Sequence, residues 1–197
     1  MYNGLLILEK NPDHSPLWDF PPRIREQLGR DYHGIHEFFT FPLRDQDKES
    51  RDLYTEAQIG KEYERLDLSF LQDRSLIRRY IQKCHQLGIE LSYLFIQSDY
   101  SLEQWEGALP KMTFAGYEVA EVPLDACAIF DLFIYEKYKK YHSGLNGDAL
   151  FSEKQTAEAF LNEYKADLEA GEVGDGEADL YVLGLYRVSE EDLLEVL

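Results

Sequence analysis

Residues 89–97 (Ile-Glu-Leu-Ser-Tyr-Leu-Phe-Ile-Gln) pass from alternation into a continuous apolar run. A run of this kind, bounded by a turn signal, reads as a central strand of a sheet. Immediately before it, Ile77, Tyr80, Ile81 and Cys84 recur at intervals of three and four residues, and Gly88 stands where a helix stop belongs. That spacing predicts a helix over 73–87. A helix leading straight into an apolar strand places the chain among layered folds.

The same alternation of signals recurs along the sequence. Strands are expected at 2–9, around Leu5-Leu6-Ile7-Leu8; at 35–41, closed by Pro42; at 114–122, ended by Pro123; and at 180–188. Helices are expected at 23–28 and just after Ser101, carrying Trp105, with Gln104 completing a capping box. A longer helix is expected at 125–141, with Ile129, Phe130, Phe133, Ile134, Tyr138 and Tyr141 as its apolar positions and Gly144 as a left-handed stop. Ser152 with Gln155 predicts a capping box opening a further helix whose stripe is Ala157, Phe160, Leu161, Tyr164 and Leu168. Ser189 with Asp192 predicts the cap of a short terminal helix. Residues 44–51, mostly charged, read as a solvated loop, and 52–72 have no dominant period. About five strands interleaved with five or six helices make an α/β or α+β layered fold, and 197 residues fit one domain, 1–197.

Two cysteines, Cys84 and Cys127, sit in apolar helical patterns. They argue against a secreted disulfide framework and for a reducing cytoplasm. The N-terminus lacks the basic and long apolar regions of a signal peptide, and no apolar run approaches membrane-spanning length. A soluble cytoplasmic protein with no membrane partner is expected.

Charge carries the functional expectation. The formal net charge is -18, and residues 151–197 contribute more than half of it, with thirteen acids against Lys154, Lys165 and Arg187. Such a field repels a phosphate backbone and attracts a basic protein. The basic side of the 73–87 helix, Arg74, Arg78, Arg79 and Lys83, is expected to pair with acids elsewhere in the fold, so no nucleic-acid partner is expected. The expected role is a protein-binding module, similar in charge and size to the immunity-type inhibitors that neutralise basic toxins. Its candidate contact residues are Glu158, Glu163, Asp167, Glu169, Asp175, Glu177 and Asp179, with Tyr164 or Tyr181 as aromatic anchors.

Catalytic patterns are weak by comparison. Asp31, His33, His36 and Glu37 offer zinc-ligand chemistry, which is the alternative reading as an enzyme or metal binder. Their spacing is not His-Glu-x-x-His, and histidines in a surface turn account for it better. Asp175, Glu177 and Asp179 begin like a calcium loop, but Leu180 occupies the glycine place and Tyr186 the place of the bidentate glutamate. Asp45 with Asp47 is a three-residue pattern that a solvated turn explains better than a metal site does. Cys84 and His85 are helix neighbours about 100° apart and cannot act as nucleophile and base. With no nucleophile elbow, Walker loop or dinucleotide fingerprint, no cofactor and no resident metal are expected.

Overall fold

The structure, a computed structural model, describes residues 4–9, 47–58, 73–98, 105–121, 128–173 and 180–197. In chain order the elements are β1 (Gly4–Glu9), α1 (Lys48–Gln58), α2 (Arg74–Gln86), β2 (Leu91–Ser98), β3 (Met112–Glu121), α3 (Ile129–Ile134), a 3-10 helix (Glu136–Gly144), α4 (Lys154–Glu169), β4 (Leu180–Val188) and α5 (Glu190–Val196). The four strands form one sheet in the order β1-β2-β4-β3, antiparallel at every pairing. This is an α+β fold. The strand expected at 35–41 and the helix expected at 23–28 lie outside the described residues, so the described sheet has four strands rather than about five.

β2 is central, as its apolar run implies, because it pairs with β1 on one side and β4 on the other. Alternate side chains enter two different cores. Leu6, Leu94, Ile96, Leu183 and Leu185 pack with Ile129 and Leu132 of α3, Tyr138 of the 3-10 helix and Phe160 and Tyr164 of α4. Leu5, Ile7, Tyr93, Phe95 and Val188 pack on the opposite face with Ile77, Tyr80, Ile81 and Cys84 of α2, Leu53 of α1, Trp105 and Leu193 of α5. Burial on both faces is why residues 93–96 are all buried and all apolar.

Several elements depart from their expected form, each for a tertiary reason. The charged stretch 44–51 does not end as a loop: α1 begins at Lys48, where the Asp47 carboxylate accepts the Ser50 N–H at 3.0 Å and Lys83 of α2 reaches Glu49 at 2.8 Å. Trp105 is not helical. Its ring meets Phe95 edge-on at 4.9 Å, its indole N–H donates to the Ala108 carbonyl, and Arg74 stands over it at 6.0 Å.

The helix expected through Tyr141 breaks at Tyr135, which is extended (φ -98°, ψ 121°), and resumes as the 3-10 helix. The break buries Tyr138 against Phe160 at 5.2 Å and leaves Ile134 60% exposed, outside the stripe it was expected to join. Gly144 is not left-handed; a Cβ there would lie 2.8 Å from Cγ2 of Thr156, so close approach selects glycine, and Ala149 (φ 55°) takes the left-handed position in the following loop. The Ser152 capping box does not form. The Ser152 N–H is held by the Gly144 carbonyl at 2.9 Å, Glu153 is extended, and α4 starts at Lys154 with no side-chain cap. The Ser189 cap does form, accepting the Asp192 N–H at 3.1 Å.

Candidate partner-binding surface

The acids that the sequence marks out divide into three groups. Asp175, Glu177 and Asp179 lie outside the described residues, as do Asp31, His33, His36, Glu37, Asp45 and Cys127. Glu163 and Asp167 face the 3-10 helix, where lysines and tyrosines meet them. Glu158 and Glu169 lie on the outer side of α4.

The seam between the 3-10 helix and α4 is built from paired rungs. The Tyr138 hydroxyl donates to Asp167 Oδ2 at 2.5 Å, and Lys137 bridges Asp167 and Glu172 at 2.8 and 2.9 Å. One turn along, the Tyr141 hydroxyl and Lys140 Nζ both reach Glu163 Oε2 at 2.7 Å. Lys137 holds the Asp167 carboxyl below its ordinary range, with the Tyr138 hydrogen bond adding to the effect; Lys140 and then Tyr141 do the same for Glu163. Burial, reinforced by these carboxylates, pushes the Tyr138 and Tyr141 hydroxyls well above 10.0. Behind the seam the Tyr164 hydroxyl donates to Asp131 Oδ2, and burial raises Asp131 despite that bond. Tyr164 is thus a core residue and does not present an anchor, whereas Tyr181 is half-buried beneath Lys165 at 5.6 Å.

Among the described residues Glu158 makes an exposed i,i+4 pair with Lys154 at 3.6 Å, a geometry worth little in water. Glu169 is exposed and makes no ion pair with a described residue. The same is true of Glu191 and Glu195 on α5, which the sequence reading counted in the charge but did not select. Glu190, beside them, accepts from Tyr93 at 2.5 Å and meets His85 Nε2 at 3.1 Å. The signal that could have found them was present: Glu190, Glu191 and Asp192 in one helical turn with no base in that helix.

Residues carrying the other candidate chemistries have structural roles. Asp47 caps α1, its carboxyl lowered chiefly by the Ser50 N–H, and Lys83 lies 3.7 Å away. Cys84 is fully buried and His85 exposed, on different sides of α2. Of the basic side of that helix, Arg74 lies over Trp105 and Lys83 pairs with Glu49 and Asp47. Among the described residues no group of His, Cys, Asp and Glu is arranged to hold a metal ion, and no helix is long and apolar enough to cross a membrane. No family model, curated protein or solved structure matches the chain.

Proposed function

We propose that this protein is a non-catalytic binding module that docks on a basic protein partner through its acidic surface, in the manner of inhibitors that neutralise phosphate-handling active sites. The observation carrying this reading is the contrast between acids that the chain itself pairs and acids that it leaves in solvent. Lys137 and Lys140 of the chain itself pair with Glu163, Asp167 and Glu172, while Glu169, Glu191 and Glu195 stand exposed without an ion partner among the described residues. Carboxylates held in solvent with no internal counter-charge raise the encounter rate with a basic surface and disfavour acidic competitors.

The alternative site at Asp31, His33, His36 and Glu37 lies wholly outside the described residues. The test is the affinity for a basic protein captured at low salt from the source cell, measured against salt for the wild type and for a Glu158→Lys, Glu169→Lys, Glu191→Lys, Glu195→Lys variant. The expected outcome is a loss of two orders of magnitude or more, roughly what four desolvated or steering charges supply, with a flatter salt dependence. Equal affinity at all salt concentrations overturns the reading. Glu163→Lys is not an informative reversal, because it places a cation beside Lys140 in the seam.

A further inference from the structure

The chain contains two Asn-Gly pairs, Asn3-Gly4 and Asn146-Gly147, of which Asn3 lies outside the described residues. Such a pair carries its own chemistry, because the glycine nitrogen has no side chain beside it to hinder attack on the carboxamide carbon of the asparagine. A C–N bond forms to close a succinimide ring, and the side-chain nitrogen leaves as ammonia with the glycine N–H proton. Water then opens the ring at either carbonyl, giving aspartate or isoaspartate. Amide and water become acid and ammonia, with no other reactant.

The fold holds Asn146 against this reaction. Its Nδ2 donates to the carbonyl of Ala115, in the bulge of β3, at 2.6 Å, and its Oδ1 accepts the N–H groups of Asp148 and Leu150 at 2.8 and 3.2 Å. The backbone closes around the side chain: the Asn146 N–H donates to the Leu150 carbonyl at 2.8 Å, and the Ala149 N–H to the Asn146 carbonyl at 3.0 Å. Bond formation at Cγ turns the planar carboxamide tetrahedral and swings it onto the Gly147 nitrogen, at the cost of its three bonds. The reaction therefore waits on opening of the loop.

The same amide fastens the loop 145–151 to β3. Beside it, fully buried Phe151 exchanges two backbone hydrogen bonds with Tyr117, at 2.8 and 2.9 Å, and Asp148 meets Arg187 at 3.0 Å. An acid in place of the amide turns an acceptor-only oxygen toward the Ala115 carbonyl, two acceptors with no proton between them. Isoaspartate also lengthens the backbone inside the turn. We infer that Asn146-Gly147 is a latent deamidation site, silent in the native fold, whose conversion to aspartate or isoaspartate unlatches the loop 145–151 from β3. Its substrate is the chain itself and its co-reactant is water.

The test incubates the full chain in mildly alkaline buffer, with and without denaturing urea, and follows both Asn-Gly pairs by peptide mass spectrometry. In urea the two pairs are expected to react at comparable rates, and without urea Asn146 is expected to react about tenfold or more slowly, as a reaction limited by local opening does. Gly147→Ala, which shields the nitrogen, is expected to suppress the reaction at Asn146 in urea and leave that at Asn3 unchanged. Equal rates at Asn146 with and without urea overturn the native silence. Asn146→Asp exchanges one NH2 for an oxygen and is expected to show a lower urea midpoint with shifted Gly116 and Phe151 amides in NMR spectra. A wild-type midpoint with unshifted amides overturns the latch. The rate comparison uses the wild type alone, so it remains decisive even where Asn146→Asp does not fold.

Discussion

Gly88 and Gly116 both have positive φ, at 73° and 149°, but only one of them is crowded. Nothing lies within 4 Å of a Cβ built at Gly88, whereas one at Gly116 would stand 2.5 Å from Cβ of Leu150, 3.0 Å from Nδ2 of Asn146 and 3.1 Å from the Phe151 carbonyl oxygen. Gly88→Ala is therefore expected to cost about 1–2 kcal/mol, the left-handed penalty alone. Gly116→Ala is expected to cost about 2–4 kcal/mol, because overpacking against a hydrogen-bonded loop adds to backbone strain. Urea unfolding of the two variants measures the difference, and equal losses would mean that the loop yields. Gly88 was legible in the sequence because a helical stripe ends in front of it. Gly116 was not, since the groups that crowd it come from a loop beyond α3 and the 3-10 helix.

At the scale of elements, a cap is decided by where the preceding chain is held. Ser189 and Ser152 carry the same sequence signature, each with a Gln or Asp three residues on. Ser189 caps α5, while Ser152 is still tied to Gly144 and caps nothing. Ser189→Ala is expected to destabilise by about 1 kcal/mol, the usual worth of an N-cap. Ser152→Ala should fall within about 0.5 kcal/mol of the wild type, as exposed positions without a special contact do. Thermal unfolding separates the two. The long helices were legible for a related reason: α2 and α4 bury stripes that repeat every three or four residues, so period and burial agree. α1 was not, because its capping carboxylate and its ion pair with Lys83 form only once α2 lies beside it.

Over the whole molecule, the carboxylates respond to pH in opposite directions. Glu163 and Asp167 have lowered folded values, so their contribution is present above their ordinary values of 4.5 and 3.8 and is lost as pH falls through the folded values. Asp131 is raised, so its contribution is complete below 3.8 and is lost as pH rises through its folded value. Asp131→Asn keeps an acceptor for Tyr164 without a charge to desolvate; it is expected to raise the urea midpoint at pH 7, with the gain shrinking as pH falls through the raised folded value and gone below 3.8. A gain that persists at pH 3 would show that burial of the charge is not its cause. By itself the amino-acid sequence determined the four described strands, the two longest described helices and the sign of the molecular charge. Each of these follows from local pattern or from a simple count. Only the tertiary structure decided the antiparallel order β1-β2-β4-β3, the break at Tyr135 and the pairing of Glu163 and Asp167 with lysines. Those depend on which distant groups meet, and a charge summed along a chain does not say which of its acids already have a partner.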